Sequence, residues 1–145
     1  MKSVRVWMTG DVLQDYFEAL QDALHGQGVR TTPEFFAFPL VIYTPVGVTL
    51  VRDTQQFRGI VSQYRSALSM RGVAATELHV EGQVTLSEHR LRATVRYTDI
   101  GADDRVIAST VAQYFLMRRG DSYQVEMLEY LELPLPLSEF ERIVH

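Results

Sequence analysis

The sequence predicts an α+β domain in which helices pack against one face of a curved antiparallel sheet. Apolar residues in the first half recur at helical spacing, as in Val12, Leu13, Tyr16, Phe17, Leu20 and Leu24. From Glu77 onward they alternate with period two through successive runs. The two signals are segregated along the chain, which points to α+β rather than to alternating α/β units. A length of 145 residues with no repeat and no linker suits a single domain, with a core over 11–133 and a tail over 134–145.

Each element has a local reason. Thr9-Gly10-Asp11 offers an N-cap to the first helix, which ends near His25, with Gly26 or Gly28 able to close it. Thr32-Pro33-Glu34 starts a short second helix carrying Phe35, Phe36 and Phe38, because proline suits a first turn that lacks hydrogen-bond acceptors for its N–H groups. Pro39 stops that helix. Leu40 to Thr44 and Val48 to Val51 then read as a hairpin about Pro45-Val46-Gly47. Asp53 caps a third helix, with Gln56 placed to reach back, and its apolar stripe is Phe57, Ile60, Val61, Tyr64 and Leu68. Arg71-Gly72 closes it. Glu77 to Ser87, Arg90 to Thr98, Arg105 to Arg118 and Ser122 to Leu133 follow as a meander, turned at Glu88-His89, Gly101 to Asp104, and Gly120-Asp121. Thus three N-terminal helices are expected on the sheet. Prolines at 134 and 136 keep the tail extended, and Ser138 with Glu141 forms a capping box for a last turn anchored by Phe140 and Ile143.

Composition excludes several functions. No cysteine is present, so a disulfide framework, a thiolate metal site and a cysteine nucleophile are all ruled out. A net charge of -4 argues against general nucleic-acid binding, which needs a basic face. No apolar run is long enough to cross a membrane, and Met1 to Arg5 lacks the features of a signal peptide, so a cytoplasmic location is expected. No phosphate-binding glycine loop, G-x-S-x-G elbow or histidine-rich metal spacing occurs, and neither metal nor cofactor is expected. Asp99, Asp103 and Asp104 lack the ligand spacing of a calcium loop and read as an acidic hairpin turn.

The element order, together with Phe38-Pro39-Leu40-Val41-Ile42, Tyr64 to Leu68 leading into Gly72-Val73, and the hairpin from Gln113 to Val125, resembles the nuclear transport factor 2-like superfamily. That group includes ketosteroid isomerase, scytalone dehydratase and polyketide cyclases. The resemblance covers about 11–133. It implies a cone-shaped fold, a pocket between sheet and helices, and commonly a dimer through the sheet. The isomerases carry a general-base aspartate on an early strand, whereas Leu40 to Thr44 holds no carboxylate. The dehydratase uses inward histidines, whereas His79 registers outward and His25, His89 and His145 fall at ends or in a turn.

Pairing the strands from their turns locates the expected pocket, because directly opposed residues share a face. Two-residue turns put Leu86 opposite Leu91, Val84 opposite Ala93, Gly82 opposite Val95, and His79 opposite Thr98. They also put Tyr114 opposite Met127 and Ala112 opposite Glu129. In that register Glu129 is the lone carboxylate on an apolar face, and burial would raise its pKa into the range of a general acid or base. A solvated or ion-paired glutamate at a strand end is the structural alternative. The expected ligand-binding set is Tyr16, Phe38, Tyr64, Ala93, Ala112, Tyr114, Met127 and Glu129, with the small alanines leaving room. The outer face of the last two strands then presents Val111, Phe115, Leu128 and Tyr130, an apolar patch expected to form a two-fold homodimer unless the tail covers it. Arg96 on that face is expected to pair with Glu81. Three functions follow: a protein that binds a small apolar molecule, a cofactor-free isomerase, dehydratase or cyclase using Glu129, and a non-catalytic dimeric interaction module.

Overall fold

Hydrophobic periodicity produces a first helix, α1 (Gly10–Leu24), whose Leu13, Phe17 and Leu20 are fully buried. The computed structural model describes residues 10–25 and 32–144; Thr9, Gly26, Gly28 and His145, which figure in the expected caps and ends, lie outside them. The second helix is shorter than expected. It is a single turn, α2 (Thr32–Phe35), and Phe36 and Phe38 belong instead to strand β1 (Phe36–Thr44). β1 pairs with β2 (Gly47–Val51) as the predicted hairpin.

Helix α3 (Thr54–Met70) begins at Asp53, whose Oδ1 accepts from the Gln56 N–H at 2.9 Å. The Gln56 side chain reaches back to the Arg52 N–H at 2.8 Å, one residue before the cap. Gly72 ends this region at φ +88°, where a side chain would be strained, and β3 follows at once. The meander is β3 (Val73–Ser87), β4 (Arg90–Gly101), β5 (Val106–Arg119) and β6 (Ser122–Glu132). The last helix is α4 (Leu137–Val144).

The expectation of three N-terminal helices is therefore corrected. Among the described residues, α1 and the one-turn α2 precede the sheet, α3 lies between the hairpin and the meander, and α4 follows the last strand. Nor is the curved six-stranded sheet wholly antiparallel. Its order is β2-β1-β6-β5-β4-β3, and β1 runs parallel to β6, so the early hairpin extends the far edge of the meander. No turn joins β1 to β6, so a local pairing argument had no access to this contact.

The inner face of the sheet carries the core. Leu91 faces Leu116, Ala93 faces Tyr114, Val95 faces Ala112, and Tyr97 faces Thr110. Helix α1 lies against β3, where Gln14 accepts from Val80 N–H at 2.9 Å and donates to Leu78 C=O at 2.8 Å. These bonds satisfy backbone groups of an edge strand that has no further strand beside it. Phe17 packs its ring on Tyr114, with centroids 4.8 Å apart. A second cluster joins Ala67 and Leu68 of α3 to Leu135, Phe140, Ile143 and Val144 of the tail.

Candidate functional site

Between α3, α4 and the inner face of β4, β5 and β6 lies a cavity of about 110 Å³. Its apolar wall includes Phe57, Ile60 and Leu128, and Phe140 and Val144 of α4 cover it. The tail thus closes this cavity and does not lie on the outer sheet face. Phe140 is held between two rings, 4.9 Å from Tyr130 and 6.2 Å from Tyr64, both edge-on.

Polar groups converge on the same space. Asp99 projects from the end of β4 and is 1% exposed. Its Oδ1 accepts from the Thr76 hydroxyl at 2.7 Å on the neighbouring strand. Its Oδ2 is buried and has no hydrogen-bond partner among the described residues. Burial raises the Asp99 pKa, since removal from water disfavours the charged form, and the Thr76 hydrogen bond opposes that only in part.

Four tyrosines share the wall. The Tyr97 and Tyr114 hydroxyls share a hydrogen bond of 2.6 Å. Burial raises both phenols; the shared hydrogen bond offsets this in part at Tyr97, while Tyr97, Tyr130 and Tyr64 raise Tyr114 further. Burial pushes Tyr130 up to about 12. Tyr64 is pushed well up by burial and then by Tyr130 and Asp99, with Thr110 acting the other way. These phenols therefore remain protonated, and the cavity offers O–H donors beside a carboxyl group biased towards its neutral form. Such a set can hold an oxygen-bearing ligand or pass a proton to and from it.

Residues 9–129 match the model of a family described as NTF2-like protein (DUF6841). The chain belongs to this NTF2-like family. No curated protein matches it. Among solved structures, it is similar to a domain of unknown function with a cystatin-like fold from Nostoc punctiforme. That match has a TM-score of 0.63 at 13% identity and covers 92% of this chain and 82% of that one. An NTF2-like protein of unknown function from Shewanella oneidensis gives a TM-score of 0.59 at 9% identity, covering 85% and 98%. A de novo designed protein with a curved β-sheet gives 0.56 at 8% identity, covering 84% and 98%. These similarities concern the fold.

The NTF2-like cavity is not built from all the residues expected of it. Tyr64 and Tyr114 line it. Tyr16 is instead buried in the main core between Phe17 and Phe35, with its hydroxyl donating to the Tyr123 carbonyl at 2.9 Å. Phe38 packs on Phe57 and is not in the wall. Ala93 and Ala112 are fully buried under the inner face but also lie outside the wall, and the space expected above them is part of the packed core.

Met127 and Glu129 are corrected outright. Val125 pairs with Leu116, but Met127 pairs with Phe115, so Glu126 is an extra residue in β6. This bulge reverses the facing of Met127 to Tyr130, until a further extra residue at Leu131 returns Glu132 to the outer face opposite Val111. Leu128 then opposes Tyr114 and Tyr130 opposes Ala112 on the inner face, while Met127 and Glu129 oppose Phe115 and Gln113 on the outer face. Glu129 is half-buried there and is not a cavity residue. The same reversal removes Leu128 and Tyr130 from the expected dimer patch.

A second bulge, at Leu86, leaves Val84 opposite Arg92 on the outer face, and a third, at Glu81, puts His79 opposite Arg96. The bulged Glu81 still reaches Arg96, at 2.7 Å. The middle register shifts by two residues, which preserves facing: Leu91 meets Leu116 rather than Tyr114.

The carboxylate that does enter the cavity was assigned to a loop. Asp99 continues the period-two series Leu91, Ala93, Val95, Tyr97 on the inner face of β4. Extending that alternation beyond Thr98 would have found it. Asp103, by contrast, is in the turn and pairs with Arg105. His25, just past the end of α1, lies half-buried in the cavity wall, its pKa lowered by burial and then by Arg65, with Asp22 opposing.

Proposed function

We propose that this chain binds a small molecule in the Asp99 cavity, the ligand presenting an apolar or aromatic body and at least one hydrogen-bonding oxygen or nitrogen. The observation that carries the reading is the unpartnered, buried Asp99 Oδ2 in a wall rich in aromatic and aliphatic side chains. A buried polar atom without a partner costs about 1–3 kcal/mol, and a ligand group meeting it recovers that penalty. The test is native mass spectrometry of protein purified from its own host. A retained small molecule is expected. A bare-chain mass, with no thermal stabilisation by any member of a library of small aromatic and carbonyl compounds, would sink the reading.

A second reading, proton-transfer catalysis without a cofactor, is favoured by the raised Asp99 pKa beside protonated phenols. Asp99 replaces Glu129 as its acid or base. Once a substrate is in hand, Asp99→Asn should lower kcat by about 10²–10⁴-fold while leaving ligand binding largely intact. Loss of binding in parallel with turnover would reduce Asp99 to an anchor.

The chain is also proposed to form a two-fold dimer through the outer sheet face. Tyr43, Val48 and Leu50 stand exposed on β1 and β2, and Phe115 and Met127 continue the face across β5 and β6. Contiguous exposed apolar area of this kind supports association.

A further inference from the structure

A surface groove adjoins the cavity. Seven residues, among them Leu24, His25, Val61, Arg65 and Thr76, wall both the closed cavity and an adjoining surface groove of about 590 Å³. Helix α3 makes this possible by presenting two neighbouring stripes. Phe57, Ile60, Tyr64 and Leu68 face the cavity, while Arg58, Ser62, Ser66 and Ser69 face the groove. Thr76 sits on the boundary and gives its hydroxyl to Asp99.

The groove differs in charge from the rest of the molecule. The chain carries a net charge of -4, yet the ionisable residues walling the groove are Arg58, Arg65 and His25, with no carboxylate among the described ones. Arg71, Arg90, Arg96 and Arg105 are ion-paired elsewhere. Arg58 and Arg65 have no such partner among the described residues, and both are exposed along an α3 face that also supplies serine hydroxyls. Guanidinium groups beside hydroxyl donors are suited to a carboxylate or another oxyanion.

Resting on the cavity reading above, we infer that the ligand is an amphiphilic acid: an aromatic or aliphatic body in the tyrosine-lined cavity, joined by a short linker to an anionic group held in the groove by Arg58 and Arg65. The size of the cavity supports the division. About 110 Å³ is well below the roughly 300–1,000 Å³ of ordinary ligand sites, so it takes only part of such a molecule. The remainder must extend through the shared wall into the groove.

The test is calorimetric titration with matched pairs, phenylacetate to 4-phenylbutyrate against the corresponding amides, at low and at physiological ionic strength. At least one acid should bind about tenfold more tightly than its amide. That advantage should shrink as salt is added. Arg58→Gln with Arg65→Gln should bring the acid to the level of the amide measured on the same variant, since these are the two guanidinium groups walling the groove. Equal binding of acid and amide, or an acid preference that survives the double substitution, would overturn the inference while leaving the cavity reading intact. Absence of binding by both acids and amides would overturn the two together.

Discussion

Asp99 is a buried carboxyl group with one oxygen that has no hydrogen-bond partner among the described residues. Its folded-state pKa is raised above the ordinary aspartate value by burial. In the interval between the unfolded and folded values the native state holds a proton that the unfolded chain has lost, so stability falls as pH rises through that interval. Below it both states are protonated and nothing is lost. Asp99→Asn keeps an oxygen for Thr76 and removes the titration. Its melting temperature relative to the wild type is therefore expected to rise between acid and neutral pH, measured by thermal melts across that range. A difference independent of pH would contradict the burial argument. Phe140 is governed by packing alone. It is 1% exposed between Tyr64 and Tyr130, and Phe140→Ala should cost about 3–5 kcal/mol in denaturant unfolding while opening the cavity roof.

Among the elements, β6 decides the site. An extra residue at Glu126 turns Leu128 and Tyr130 inward and Met127 and Glu129 outward. The Glu126 side chain forms an exposed ion pair with Arg90, which contributes at most about 1 kcal/mol. Glu126→Ala should accordingly change stability by no more than that. Deleting Glu126 should instead put Met127 and Glu129 on the core face and prevent folding, read by loss of a cooperative unfolding transition. Helix α3 depends on its cap: Asp53→Ala removes the acceptor for the Gln56 N–H and should cost about 1 kcal/mol.

At the level of the whole molecule, the two faces of the sheet have separate tasks. The inner face is covered by α1, α3 and α4 around the core and cavity, while the outer face has no covering element among the described residues and keeps Tyr43, Val48 and Leu50 exposed. Light scattering with size-exclusion chromatography should report a dimer, and Phe115→Glu should yield a folded monomer, because Phe115 points away from the core beside Met127. A wild-type monomer at micromolar concentration would exclude the assembly.

The sequence by itself determined the α+β class, the amphipathic helices α1 and α3, the hairpin and the four meander strands, because capping residues, turn residues and hydrophobic period act locally. Two cavity tyrosines, Tyr64 and Tyr114, were legible for the same reason. Only the tertiary structure decided which carboxylate enters the cavity. A bulge adds one residue without disturbing the apolar character of a strand: Met127-Leu128-Glu129-Tyr130 offers an apolar side chain to either face, so its alternation alone cannot choose between them. The choice comes from the partners, Ile42 of β1 beside Leu128 and Phe140 of α4 against Tyr130, which are remote in sequence from the turn used to set the register. The parallel β1–β6 contact and the closure of the cavity by α4 arise in the same way, from burial available only once distant segments have met.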